Sequence, residues 1–312
     1  MRIGILTFHS AINYGAVLQT WASVRFLQSL GHDVSVLDYE NHCIGEVYRP
    51  FRWDKERMAT EGLKYVLKWP SLVFYRFMRK RAFMVFQRHE LPMLPYSKAS
   101  EMDVLLVGSD QVWNGALTGG ADPVYYGDVI PGVRKVAWAA SVGKASLKRE
   151  DLDRLQRNFS AISVREHALA TLMPGSMVLP DPTMMLSPQQ WEILVKPVKG
   201  SYLLVYPMLY QEEVMEKARV LSDDLHLEMK VLSPGIKLCS NWIQTAAPDE
   251  FVSLFYHASY VVTSSFHGAV FTLLFGRPHT FVYHDDPRYD TLLKSDLSKA
   301  ADKAFAFIAD SI

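Results

Sequence analysis

Cysteine is scarce in this chain: only Cys43 and Cys239 occur, far apart and without partners at metal-ligand spacing. That excludes a disulfide scaffold and a thiolate zinc site, and makes a reducing, cytoplasmic setting the expectation. An excess of charge is also missing, because 33 basic side chains meet 33 acidic ones. Without a net field to gather a polyanion, nucleic-acid binding is not expected. No uninterrupted apolar run reaches the roughly 18 residues of a membrane span, so any membrane contact is expected to be peripheral. Met1–Phe8 is too short for a signal peptide and reads as a strand. His257, His279 and His284 lie 10, 12 and 17 residues from His267, which is not the spacing of a helical metal pair. No metal and no cofactor are expected.

What is present is a chain of 312 residues, 49% hydrophobic, large enough to bury two cores. Short β-branched runs alternate with helical periodicity, the pattern of α/β units around parallel sheets. Strands are predicted at Arg2–Leu6, Asp33–Asp38, Val104–Val107, Val136–Ala140 and Ile162–Val164, with helices at Ala16–Leu30 and Arg149–Asn158. The pattern restarts after the Pro-containing stretch from Asp181 to Pro188. Beyond it, strands are predicted at Tyr202–Val205, Met229–Leu232 and Ala258–Val262, and helices at 211–223, 249–257 and 269–275. The expected division is residues 1–186 and a smaller 187–312, two open α/β domains facing across a cleft. The region after Tyr289 carries no motif, and a terminal helix returning to the first domain is one arrangement it allows.

Several polar groups fall where predicted strands run into helices, the places at which open α/β folds bind ligands. Asn13 and Tyr14 follow the first strand, with His9 nearby. They offer hydrogen bonding and stacking to a sugar, or else form a capped turn. Asp110 and Trp113 follow Val104–Val107: a carboxylate to orient or deprotonate a hydroxyl and an indole to stack on a sugar, or else a helix cap and a core residue. Ser141 and Gly143 form another such turn. His267 follows Ala258–Val262, and Gly268 leaves room for close backbone approach. Asp181-Pro182-Thr183 reads as a rigid turn at the crossing between domains. The segment Trp69–His89 interleaves Phe74, Phe77, Phe83 and Phe86 with five basic residues, among them Arg79, Lys80 and Arg81. It suits either an anionic membrane surface or an amphipathic helix with its aromatic stripe in the core.

Five segments taken in order, Thr7–Gln19, Val107–Asn114, Ala139–Gly143, Ile162–Glu166 with Leu179–Thr183, and Thr263–Ala269, resemble the polysaccharide pyruvyl transferase family. The resemblance implies two Rossmann-like domains in a glycosyltransferase-B-like arrangement. It also implies transfer of pyruvate from phosphoenolpyruvate, a donor substrate rather than a cofactor, onto a sugar as a cyclic ketal in capsule, exopolysaccharide or cell-wall synthesis. That chemistry needs an acid for the methylene carbon, and imidazole, ordinarily titrating near ~6.5, suits it.

By the resemblance His267 is that acid, and Arg165 grips a donor anion with its guanidinium. Ser265 stands where some members carry arginine. A hydroxyl adds a hydrogen bond but no charge, which leaves the attraction to Arg165, Lys237 or the helix dipole beyond Gly268. Asp110 acts on the acceptor hydroxyl, with His9, Asn13, Tyr14, Trp113 and Ser141 around the acceptor, a glycan that is lipid-linked if the enzyme works at the inner membrane face. The alternatives are a nucleotide-sugar glycosyltransferase on the same fold, disfavoured because Lys237 lacks a neighbouring basic residue, and a non-catalytic glycan-binding protein. The oligomeric state is left open.

Overall fold

The computed structural model describes residues 1–236, 242–284, 292–293 and 297–312. The chain divides into two compact units. Unit 1 comprises Met1–Val47, Gln87–Leu186 and Asp296–Ile312; unit 2 comprises Tyr48–Phe86 and Ser187–Ser295. Among the described residues each unit has one sheet, and every strand pairing in both is parallel.

In unit 1 the strands are β1 (Arg2–Leu6), β2 (Asp33–Asp38), β3 (Met93–Pro95), β4 (Val104–Val107), β5 (Arg134–Ala140), β6 (Ala161–Val164) and β7 (Met177–Val178). Their order is β3-β2-β1-β4-β5-β6-β7. Continuous runs such as Val104-Leu105-Leu106-Val107, buried along their whole length, are what a sheet covered on both faces requires. The order reverses between β1 and β4, so the crevice at their carboxyl ends is the expected ligand position of this fold.

The helix Tyr14–Ser29 starts where the side chain of Asn13 accepts from the Ala16 N–H, and it is buried along nearly all its length. The terminal helix Ala300–Ser311 groups with unit 1, its Phe307 ring 6.2 Å from that of Trp138. Trp138 in turn stacks on Phe26 and donates its indole N–H to Ser23 Oγ at 3.0 Å.

In unit 2 the strands are β8 (Tyr202–Tyr206), β9 (Glu228–Leu232), β10 (Trp242–Ile243), β11 (Tyr260–Thr263) and β12 (His279–Phe281), in the order β10-β9-β8-β11-β12. The reversal here lies between β8 and β11. Its core gathers Leu203, Val205, Val214, Ala218, Val231, Val262 and Val282.

A contiguous first domain of residues 1–186 is therefore corrected for residues 48–86, which belong to unit 2. The reason lies in the helix Leu63–Glu90. Its buried Arg79 donates to the carbonyls of Ser233 (2.9 Å) and Gln244 (3.3 Å), and its Tyr65, Leu72, Phe83 and Phe86 are buried. Arg79, expected as one of a basic surface trio, is thus a core residue. Strands β3, β7, β10 and β12 escaped the sequence because runs of two or three residues show no period.

Beyond β2, Tyr39 donates to Asp122 Oδ2 at 2.9 Å and Asn41 donates to the same oxygen at 2.6 Å. The buried Asp122 also accepts from the Val124 N–H at 2.8 Å. Burial, and then the hydrogen bond to Asp122 and its charge, raise the Tyr39 phenol above its ordinary value. Burial likewise raises Tyr125, well above its ordinary value. In the unfolded chain these phenols ionise first, near pH ~10. The native state still holds its protons there, so stability is full below that pH and falls as pH rises through and beyond it. An alkaline melting series should show Tm falling above pH ~10, with the tyrosinate absorbance of Tyr39 and Tyr125 appearing together with unfolding. Asp122→Asn should bring part of that absorbance out in the folded protein.

Candidate active site

The strand-end cluster of unit 1 begins at Gly108, whose φ of +121° and lack of a side chain are both needed: a Cβ there would stand 2.3 Å from the Trp138 carbonyl oxygen. The chain then turns through Ser109, whose carbonyl accepts from Thr7 Oγ1 at 3.1 Å, linking the loops after β4 and β1. Asp110 follows with a left-handed φ of 63°, a conformation Asp tolerates better than most residues. Its Oδ1 accepts from the Gln111 N–H (2.9 Å), and its carbonyl accepts from the Ser141 N–H (3.0 Å).

Arg165 leaves the end of β6, its N–H bonded to the Ala140 carbonyl at 3.0 Å. Its Nη2 lies 3.9 Å from Asp110 Oδ1, and its Nη1 donates to Asp181 Oδ2. The Asp181 carboxylate is completely buried, and its Oδ1 accepts from Thr183 N–H (3.0 Å) and Thr183 Oγ1 (2.7 Å). One guanidinium therefore sits with two carboxylates, and only 9% of its side chain is exposed. This corrects the expectation of a cation open to a donor anion, since Asp181 already balances the charge. It also corrects the reading of Asp181 as a turn residue alone. The Asp-Pro-Thr turn was visible in the sequence, but its partner 16 residues upstream was not.

Beside this pair, Ser141 Oγ donates to Glu166 Oε1, and the Gly143 N–H donates to Ser141 Oγ (3.0 Å) and Glu166 Oε1 (3.1 Å). Ser141 is fully buried, so it serves the loop rather than lining an acceptor site. Glu166, the residue after Arg165 in the chain, is the partner of Ser141. Among the described residues, the buried Ser109 Oγ and Glu166 Oε2 have no hydrogen-bond partner.

The other acceptor candidates divide sharply. Asn13 is exposed, its Oδ1 3.3 Å from the Ala16 N–H it caps. Tyr14 is buried in the first helical turn and has no open ring face. His9 is 2% exposed, with Nδ1 3.3 Å from the Thr7 carbonyl and Nε2 3.2 Å from Asp38 Oδ1. Trp113 is fully buried, donates its indole N–H to the Tyr125 carbonyl at 2.9 Å and meets Phe159 edge-on. Tyr14 and Trp113 are thus corrected from stacking platforms to core, because a large ring at a strand–helix corner gains more from burial than from exposure.

In unit 2 the helix that follows β11 is Phe266–Leu274. It starts three residues earlier than predicted because Ser265 is its N-cap, with Oγ accepting from the Gly268 N–H at 3.2 Å. His267 thereby sits in the first helical turn at the carboxyl end of β11, beside the reversal with β8, and is half-buried. Its ring meets that of Phe266 edge-on at 5.2 Å. Thr263 Oγ1 donates to the Tyr206 carbonyl (2.8 Å) and accepts from the Ser265 N–H (3.0 Å). Ser264 exchanges bonds with the backbone of Leu209, accepting at 2.9 Å and donating at 2.5 Å. The Thr263-Ser264-Ser265 run thus fastens the two strand-end loops that frame His267.

Ser265 and Gly268 are corrected in the same terms: the hydroxyl caps the helix, and the glycine permits its packing. A Cβ at Gly268 would lie 2.7 Å from Thr263 Oγ1 and 3.2 Å from Phe255 Cζ. Gly268→Ala should therefore cost about 1–3 kcal/mol of overpacking strain, read as a lower urea midpoint at unchanged slope. Lys237 lies outside the described residues. Among the described residues no three His, Cys, Asp or Glu side chains gather in a way that could hold a metal ion.

Residues 13–286 match the family model described as polysaccharide pyruvyl transferase. No curated protein matches the chain in sequence. Among solved structures it is similar to a UDP-GlcNAc 2-epimerase from Methanocaldococcus jannaschii in complex with UDP-GlcNAc and UDP, at 11% identity and a TM-score of 0.50, covering 99% of this chain and 93% of that one. A UDP-GlcNAc 2-epimerase from Neisseria meningitidis bound to UDP-GlcNAc follows at 10% identity and 0.45, over 99% and 90% of the two chains. The E. coli heptosyltransferase WaaC with ADP-2-deoxy-2-fluoro heptose stands at 12% and 0.35, over the whole of both. At such identities the likeness is one of fold: two Rossmann-like units of parallel sheet.

Proposed function

The chain belongs to the polysaccharide pyruvyl transferase family, and on that premise we propose that it moves pyruvate from phosphoenolpyruvate onto two hydroxyls of a glycan, forming a cyclic ketal and releasing phosphate. The observation that carries the reading is His267 in the first turn of a helix at the carboxyl end of β11, beside the strand-order reversal, in a chain matched to the family over residues 13–286. His267 gives a proton to the methylene carbon of the donor. A sugar hydroxyl oxygen bonds to the adjacent carbon, and its proton passes to the imidazole that the first step left neutral. Phosphate then leaves with the electrons of its carbon–oxygen bond, and the neighbouring hydroxyl adds to the same carbon to close the ring, giving its proton to the departing phosphate.

Arg165 holds Asp110 in place rather than gripping the donor. Anion attraction falls instead to the amino end of the helix Phe266–Leu274, where backbone N–H groups and the helix dipole favour negative charge. Asp110, the strand-end carboxylate of unit 1 whose side chain is 17% exposed, takes a hydrogen bond from a hydroxyl of the acceptor.

The test is phosphate release from phosphoenolpyruvate in the presence of oligosaccharide or lipid-linked acceptors, with mass spectrometry of the glycan. Acceptor-dependent phosphate together with a pyruvylated product is the expected result. Consumption of a nucleotide sugar without any use of phosphoenolpyruvate would overturn it in favour of glycosyl transfer. A thermal shift with glycan but no turnover with any donor would overturn it in favour of a binding protein.

A further inference from the structure

The helix Leu63–Glu90 is apolar on two opposite faces, and among the described residues only one of them is covered. Tyr65, Leu72, Phe83 and Phe86 share the buried side. At a helical repeat of about 3.6 residues, Leu63, Leu67, Phe74 and Phe77 fall together on the opposite side. These four are 72%, 73%, 59% and 53% exposed. Phe51 is 70% exposed in the strip before the helix, which is tied to it by the Arg76 guanidinium on the Arg52 carbonyl (2.6 Å) and by Tyr65 Oη accepting from the Asp54 N–H (2.9 Å).

Charge is segregated in the same stretch. Residues 48–86 contain ten basic side chains and three acidic ones, in a chain whose net charge is zero, and residues 62–86 contain no Asp or Glu at all. Of the basic groups on the helix, Arg79 is buried and Lys68 lies 3.5 Å from Glu61. Arg81 is exposed on the same side as the phenylalanines, and Lys64 and Lys80 flank it. Among the described residues no helix is long and apolar enough to cross a bilayer, so this one can only lie along a surface.

We propose that this face is a docking surface for an anionic lipid bilayer, with Leu63, Leu67, Phe74 and Phe77 entering the headgroup–acyl boundary and Lys64, Lys80 and Arg81 meeting lipid phosphates. A helix that is apolar outward and basic along its edges is complementary to such an interface in both polarity and charge. Each basic residue brought to an anionic surface raises partition roughly fivefold, and salt screens the effect over about 8–10 Å. A protein partner would need an apolar cleft with acidic rims, whereas an anionic membrane supplies both properties over an unlimited area. The proposal is independent of the catalytic reading, because it concerns where the protein sits and not which bond it makes.

Vesicle co-sedimentation tests it, with phosphatidylcholine alone against mixtures containing phosphatidylglycerol. Binding at least tenfold tighter to the anionic vesicles, weakened by salt, is the expected result. Combining Phe74→Ser and Phe77→Ser should lower that binding at least tenfold, as should combining Lys80→Gln and Arg81→Gln. Because all four side chains lie outside the core, the variants should keep the wild-type Tm, and a soluble glycan should be turned over at the wild-type rate. Equal binding by wild type and both variants would overturn the proposal. So would an absence of vesicle binding together with a concentration-dependent dimer, seen by analytical ultracentrifugation, that disappears in the Phe74→Ser/Phe77→Ser protein; the face would then belong to a second copy of the chain.

Discussion

His267→Ala should lower pyruvyl transfer by about 10²–10⁴-fold, the range that a positioned general acid contributes. The loss should fall on turnover, with donor binding retained, because the helix N-terminus that attracts the anion does not depend on the ring. His267→Gln keeps a hydrogen-bonding group of similar reach but supplies no titratable proton, so it should be as slow as the alanine variant. Since the ring is half-buried and its helix is capped by Ser265, both variants should melt within a few degrees of the wild type. Phosphate release under saturating donor, with thermal shift by phosphoenolpyruvate as the binding readout, separates these effects. Turnover within about threefold of wild type in either variant would remove His267 from the chemistry.

The second large effect is expected at Asp181. Its carboxylate is completely buried and joined to Arg165, so Asp181→Ala leaves a guanidinium that is nine-tenths buried with Asp110 at 3.9 Å as its remaining partner. Breaking a buried pair from one side typically costs about 3–5 kcal/mol, far more than the pair is worth against a hydrophobic replacement. The alanine variant also loses the cap on the Thr183 N–H. Arg165→Met combined with Asp181→Leu should recover part of the loss, since the fully buried charge and its partner leave together and Asp110, at 17% exposure, still meets water. A double-mutant cycle by urea denaturation measures the coupling. The same double variant should remain slow in transfer if Arg165 positions Asp110, which gives a readout that stability alone would not move. A loss below about 1 kcal/mol for Asp181→Ala would mean that solvent reaches the pair.

The sheet strands that span four or more residues were legible because a strand covered on both faces must be apolar throughout, as Val104–Val107 is. Their parallel pairing followed from the helices between them. The strand-end loops could be located by the same logic, and the His267 corner was placed to within one helical turn. Side-chain roles within those loops were far less legible. Asn13 and Ser265 are both caps as well as candidates, and cap and ligand use the same short polar residues. Tyr14 and Trp113 fit a stacking platform and a core position equally well by residue type. Burial decides between those roles, and burial depends on residues brought in from elsewhere in the chain. The helix Leu63–Glu90 shows the same limit. Its aromatic residues mark it as amphipathic, yet Phe83 and Phe86 went inside while Phe74 and Phe77 stayed outside.

The sequence by itself determined the α/β class, the two Rossmann-like units, the family and the address of the candidate acid. These are written in local apolar runs and in short motifs whose order along the chain carries the information. Only the tertiary structure decided that Arg165 is held by Asp181 and lies near Asp110, that Ser141 answers to Glu166, and that residues 48–86 belong with unit 2. Those are pairings between groups distant in sequence or on different elements. The physical reason is that a side chain's charge balance and exposure are properties of its neighbours in space, which folding alone brings together.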